Sequence, residues 1–135
     1  MQTEKYEAVP IVVDDDIVKV RQRVRDWAVG IGFSLVDQTK LVTAASELAR
    51  NTVDHGGGGT VTLDALANGV RSGLRLTFED KGPGIPDIDL AMKEGFTTAG
   101  GLGLGLSGAK KLSNEFEIAS RAGEGTRVTI TRWRA

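Results

Sequence analysis

Residues 60–84 read TVTLDALANGVRSGLRLTFEDKGPG, and the fold turns on how that stretch pairs. Val61, Leu63 and Ala65 alternate with Thr62, Asp64 and Leu66. Leu74, Leu76 and Phe78 alternate likewise after Asn68-Gly69 and Ser72-Gly73. Period-two patterning on both sides of turn residues predicts an antiparallel hairpin. Towards the C-terminus, Phe116 to Ser120 and Arg127 to Trp133 form a second hairpin around Ala122-Gly123-Glu124-Gly125. Towards the N-terminus, Tyr6 to Val13 is a strand rich in valine, isoleucine and alanine, and Pro10 assigns it to a sheet edge. Between that strand and the first hairpin lie two helices. Ile17, Val20, Val24, Trp27, Ala28 and Ile31 make an apolar stripe over roughly 16–29, with Asp14, Asp15 or Asp16 as N-cap and Gly30 and Gly32 as the stop. Leu41, Val42, Ala45, Leu48, Ala49 and Thr52 line a helix from about Leu35 to Val53, begun by Ser34 or Asp37 and ended by Gly56 to Gly59. A glycine-containing loop from Asp80 to about Gly103 holds a short helix near Ile88 to Glu94, and Leu104 to Leu112 forms the last helix. The order strand, two helices, two strands, helix, two strands defines an α/β two-layer sandwich, with a mixed, mostly antiparallel sheet and helices on one face.

Composition narrows the function. A chain of 135 residues fits one domain, 1–135, and buries enough surface to need no staple. The absence of cysteine excludes disulfides, thiolate chemistry and cysteine-held metals, and one histidine limits metal sites further. The longest apolar runs fall far below the roughly 20 residues that span a bilayer, and no basic-then-apolar leader follows Met1. The expectation is a soluble, cytoplasmic protein. A net charge of -1 gives no field for nucleic acid or an anionic membrane, so neither is expected as a partner. The acid-rich first 16 residues and the arginine-rich last 15 read as solvated faces. Glycine is unusual: there are 18, twelve of them within 56–59, 82–84 and 95–108. Clusters of this kind mark loops that need positive φ or close approach of backbone to a ligand.

Three constellations carry chemistry. Glu47 and Asn51 lie four residues apart on the second helix, and His55 follows four later if the helix reaches it, so all three share one stripe. Such a carboxylate can take a proton from an attacking hydroxyl, and the carboxamide oxygen can ligate Mg²⁺; the alternative is a solvated polar face. Next comes Glu79-Asp80-Lys81-Gly82-Pro83-Gly84 at the end of a strand. A carboxylate there can accept a hydrogen bond from an exocyclic amine such as adenine N6, with Gly82 and Gly84 admitting a flat base; an ordinary turn has the same composition. The third is Gly100-Gly101-Leu102-Gly103-Leu104-Gly105-Leu106, opening a helix. Backbone N–H groups there can cradle phosphates, or the run is a flexible lid over which Phe96, Thr97 and Thr98 could close. It is neither a P-loop nor a Rossmann fingerprint, since no Gly-Lys-Ser/Thr or βαβ context accompanies it.

In this order, Glu-x-x-x-Asn, Asp-x-Gly-x-Gly and Gly-x-Gly-x-Gly resemble the motifs of the GHKL (Bergerat-fold) ATPases and kinases, and the resemblance spans nearly the whole chain. The length leaves no room for a phosphoacceptor dimerisation helix, a gyrase or an Hsp90. Within the family, Ser46 to Asn51, Glu79 to Ile88, Gly95 to Gly103 and Gly123 to Thr126 with Arg132-Trp133 are similar to the RsbT-type serine/threonine switch kinases of bacterial stressosomes. The resemblance implies ATP and Mg²⁺ as cofactors and Glu47 as the group that orients or deprotonates the attacking serine. It implies Asn51 as the Mg²⁺ ligand and Asp80 as the adenine-N6 acceptor. Gly82 and Gly84 would line the base pocket, with Thr126 supporting the aspartate. Gly100, Gly101, Leu102, Gly103, Leu104 and Gly105 would surround the phosphates, and His55 falls near the nucleotide. Arg50 sits either on the phosphate side or on the surface. The implied partners are STAS-domain scaffold proteins as substrates and a downstream PP2C-type phosphatase or other output enzyme. The alternative is an ATP-loaded anti-sigma factor, a binding module that sequesters a sigma subunit.

Overall fold

A computed structural model describes residues 2–85, 87–92 and 105–134. Nine elements follow in the order β1 (Gln2–Ile11), α1 (Asp14–Ile31), α2 (Leu35–Asp54), β2 (Gly59–Asn68), β3 (Arg71–Asp80), α3 (Ile88–Ala91), α4 (Gly105–Lys111), β4 (Glu115–Arg121) and β5 (Gly125–Trp133). The strands form one five-stranded sheet in the order β1-β2-β3-β5-β4. Each of its four pairings is antiparallel, so the parallel component expected of a mixed sheet is absent among the described strands. β1 is an edge strand, as Pro10 requires.

The core lies between one sheet face and α1 and α2. Val61, Leu63, Ala65, Leu74, Leu76, Phe78, Val128 and Ile130 meet Ile17, Val20, Val24, Leu41, Ala45 and Leu48 there. Leu63 and Leu76 oppose each other in the β2–β3 register and are fully buried; truncating either to alanine would cost about 2–5 kcal/mol. Both helices carry the stripes that the sequence predicts, with ends set by local hydrogen bonds. In α1 the N-cap is Val13 rather than an aspartate. Asp16 acts instead from inside the first turn, where its Oδ2 accepts the N–H groups of Val12 (2.8 Å) and Val13 (3.1 Å). These backbone bonds hold the Asp16 carboxyl below its ordinary pKa, helped by Lys19 and opposed by its partial burial. Ser34 caps α2, its Oγ accepting the Asp37 N–H at 3.2 Å. Glu7 ties β1 to α1, accepting from Arg23 Nε at 3.0 Å and from Trp27 Nε1 at 2.8 Å. That carboxylate, chiefly by its side-chain hydrogen bond, raises the Arg23 pKa above its ordinary value.

Two sequence expectations change on the far face of the sheet. Ser72-Gly73 is not part of the turn: β3 begins at Arg71, and Gly69-Val70 alone joins the strands. Leu66, expected on the polar side, is buried there. The reason is Gly73, which pairs with Leu66 on one flank and Trp133 on the other. A Cβ on Gly73 would sit 2.6 Å from the Trp133 ring, so the glycine lets the indole lie flat across the strand. Arg71 stacks 4.8 Å from the ring centroid, and Trp133 Nε1 donates to Glu115 at 2.6 Å.

Candidate active site

α2 carries the candidate residues Glu47 and Asn51 in its C-terminal half. Glu47 is buried, 7% exposed, between the polar Thr43 and Asn51 and the fully buried Ala44 on the wheel. Among the described residues its carboxylate makes no hydrogen bond or ion pair. Asn51 lies one turn on, half-buried, with its carboxamide equally unengaged among the described residues. The helix stops at Asp54, and His55 is its C-cap in a right-handed helical conformation, so the stripe continues through it; its ring is exposed. The His55 N–H donates to Asn51 O at 2.9 Å. A carboxylate with no protein donor among the described residues keeps both oxygens free to accept a hydrogen bond from a ligand.

The end of α2 runs into the end of β3. Gly56 lies directly against Asp80: a Cβ on Gly56 would stand 2.5 Å from Asp80 Cβ and 2.6 Å from Oδ2. Asp80 is the last residue of β3, paired with Gly59 of β2 and Thr126 of β5, which fixes its backbone on both sides. Its Oδ1 accepts the Gly82 N–H at 2.9 Å, leaving Oδ2 beside Gly56. The turn that follows is anchored to the β4–β5 hairpin. Gly123 N–H donates to Pro83 O at 2.9 Å, and Ile85 N–H donates to Ser120 Oγ at 2.7 Å. Gly84 adopts φ 80°, where its absent side chain also avoids the Arg121 carbonyl. Thr126 stands across from Asp80 in register, and its hydroxyl lies 2.9 Å from Ser120 Oγ.

The structure therefore brings Glu47, Asn51 and His55 on α2 to the same end of the sheet as Asp80, Gly82, Gly84 and Thr126. Of the glycine-rich run, Gly105 is described: it is buried at the start of α4 with φ 49°. Gly100, Gly101, Leu102, Gly103 and Leu104, with Phe96, Thr97 and Thr98, lie outside the described residues. Gly56 and Ser120 are the residues that sequence reasoning missed. Gly56 reads as part of a helix stop, and a serine within an alternating strand has no signature until the turn it holds is seen.

A two-layer sandwich with a carboxylate-and-carboxamide helix abutting an Asp-x-Gly-x-Gly turn defines a nucleotide-binding class of protein. The profile of the family described as "Histidine kinase-, DNA gyrase B-, and HSP90-like ATPase" matches residues 36–134, and the chain belongs to that family. It is 46% identical over 125 residues to the "Serine/threonine-protein kinase RsbT" of Bacillus subtilis (strain 168), covering 93% of this chain and 94% of that one. It is 31% identical over 121 residues to the "Anti-sigma F factor" of Thermoanaerobacter sp. (strain X514), covering 84% of this chain and 82% of the relative. Among solved structures, the fold recurs within that of the RsbU and RsbW domains of Rv1364c from Mycobacterium tuberculosis, with a TM-score of 0.67 at 24% identity. The match covers 97% of this chain and 33% of that one.

Proposed function

We propose that this chain is an ATP- and Mg²⁺-dependent protein-serine kinase that phosphorylates STAS-domain scaffold or antagonist proteins and, once released, activates a PP2C-type phosphatase or other output enzyme. The enzyme class rests on the 46% identity with a serine/threonine-protein kinase over nearly the full length of both chains. The observation that carries the chemistry is the junction of Gly56 with Asp80, which joins the Glu47–Asn51 stripe to a glycine-containing turn. We read residues 1–135 as one domain acting in the cytoplasm. Among the described residues no helix is long and apolar enough to cross a membrane.

Each residue has a distinct task in this reading. Asp80 accepts the adenine N6 amine on the oxygen beside Gly56 while its other oxygen stays on the Gly82 N–H, which selects adenine over a base presenting a carbonyl there. Thr126 and Ser120 hold the turn at a fixed depth. Mg²⁺ fits the donors present: Asn51 offers one neutral oxygen, and among the described residues no group of three or more His, Cys, Asp or Glu side chains forms a cage. That suits an ion held largely by phosphate and water, and when bound it neutralises phosphate charge. Glu47 would receive the proton of the serine hydroxyl as the serine oxygen bonds to the γ-phosphorus and the bond to ADP breaks, its electron pair staying on ADP. Gly101, Gly103 and Gly105 would supply backbone donors to the phosphates, as the family's glycine motif implies. Phosphoryl transfer asks chiefly for positioning and charge neutralisation, so one base and few other side chains suffice.

The test is intact-mass spectrometry of a STAS-domain protein incubated with this chain and Mg-ATP, with Glu47→Ala alongside. One added phosphate with wild type and none with the variant, at unchanged ATP binding, is the expected result. A variant that phosphorylates normally removes Glu47 as the base. The identity with anti-sigma F factors supports a second reading, a nucleotide-loaded module that sequesters a sigma subunit. Wild type that binds ATP, adds no phosphate and captures a sigma factor would establish that reading instead.

A further inference from the structure

Resting on the kinase reading, we propose that Arg50 is a further catalytic residue, whose guanidinium contacts the phosphoryl group as it passes from ATP to the substrate serine. α2 has two basic residues, Lys40 and Arg50. Lys40 lies seven residues before Glu47, about 10 Å down the axis. Arg50 lies three residues after it, so their Cβ atoms are neighbours about 5–6 Å apart on the helix surface. On the wheel Arg50 falls about 60° to one side of Glu47 and Asn51 about 40° to the other, so the base stands between the metal ligand and the cation.

A glutamate and an arginine at this spacing are close enough to pair. Here they do not: among the described residues neither makes an ion pair or hydrogen bond, although Glu47 is buried and Arg50 is half-buried. Other arginines of the molecule are committed, Arg23 to Glu7 and Asp26 and Arg132 to Asp37. Lys81 is exposed and follows Asp80, which lies against Gly56, nine residues past Glu47. Lys110 and Lys111 close the far end of α4, seven residues long, away from Gly105. Arg50 is thus the described cation beside the base that is not already engaged.

The chemistry at that position needs a cation. The serine oxygen bonds to the γ-phosphorus, its proton passes to Glu47, and the bond from phosphorus to the ADP oxygen breaks with the electron pair left on ADP. Charge on the three equatorial oxygens is then held by the metal and by whatever donors face the outer side of the group. A guanidinium offers a planar fork of N–H donors to two such oxygens, and among the described residues none of Arg50's is consumed.

The experiment compares wild type with Arg50→Met, which keeps the stem and removes the charge, and Arg50→Lys, which keeps the charge and removes the fork. Binding of ATP, and of ADP with Mg²⁺ and aluminium fluoride, is measured by calorimetry beside phosphate transfer to a STAS-domain protein. Arg50→Met should bind ATP within about threefold of wild type, transfer phosphate on the order of 10²–10³-fold more slowly, and lose the extra affinity for the fluoroaluminate complex, with Arg50→Lys in between. Full turnover in Arg50→Met overturns the proposal. So does a loss of ATP affinity as large as the loss of rate, or a raised KM for the protein substrate at unchanged kcat. If wild type itself transfers nothing to the STAS protein, the substrate reading fails. The fluoroaluminate comparison still decides Arg50, and equal affinities in wild type and Arg50→Met refute it.

Discussion

Replacing Gly56 with alanine tests how the site is assembled. The added methyl would lie 2.5 Å from Asp80 Cβ and 2.6 Å from Oδ2, where carbon contacts settle near 3.5–4.0 Å. About 1 Å of movement is therefore required. Asp80 cannot withdraw through its backbone, which is locked between Gly59 and Thr126 and packed against Gly125. The end of α2 cannot rise freely either, since Gly56 lies under Gly82, whose own Cβ would be 2.7 Å from Gly56 Cα. What yields is the Asp80 side chain, and with it the 2.9 Å bond from Gly82 N–H and the aim of the carboxylate at a bound base. A hydrogen bond to a charged group is worth about 1.5–3 kcal/mol, so ATP should bind roughly 10- to 150-fold more weakly. Calorimetric titration with Mg-ATP measures this, and a thermal melt verifies that the variant still folds cooperatively. A folded Gly56→Ala that binds ATP within threefold of wild type would show that Asp80 is not the base-recognition group, or that Gly56 does not fix it.

Two further predictions concern stability. Arg132 and Asp37 form a 2.8 Å pair at 14% and 16% side-chain exposure, and Arg132 also donates to Leu112 O at 2.8 Å, linking the start of α2 to the end of α4. Asp37→Ala strands a guanidinium whose Nε already has no partner, so chemical denaturation should show a loss of about 3 kcal/mol. An unchanged midpoint would refute the linkage. Asp16 has a folded pKa below its ordinary value of 3.8, so the fold favours its ionised form. Its stabilisation is fully present above that value and is lost as pH falls through the lowered one. Asp16→Asn should therefore reduce the melting temperature at pH 7 and converge with wild type in strong acid; a gap independent of pH would refute the carboxylate's role.

The strands and helices were legible because each has one buried face. The stripe of α2 and the alternation of β2 and β3 record burial against the same core, and period alone identifies them. Leu66 and Gly73 were misread for the converse reason. The far face holds a second, small apolar contact, and a glycine in a strand resembles a turn until Trp133 is seen lying across it. The first-helix cap was misplaced because three consecutive aspartates offer equivalent signals. Which one bends back to Val12 and Val13 depends on how β1 enters the helix.

The site divides along the same line. Glu47, Asn51 and Asp80 could be singled out because their chemistry is local: a spacing on a helix, or a carboxylate before glycines. Gly56 and Ser120 could not, because their contributions exist only across elements. Gly56 is 24 residues from Asp80 in sequence and in contact with it in space, and Ser120 reaches 35 residues back to Ile85. A methyl group on the first or the loss of a hydroxyl on the second alters no catalytic atom. Either displaces the turn after Asp80, against which a base would lie in the proposed reading, and neither residue carries chemistry of its own. Thr126 belongs with them. Its hydroxyl meets Ser120 while its backbone faces Asp80, so any support it lends the carboxylate would pass through the turn that Ser120 pins.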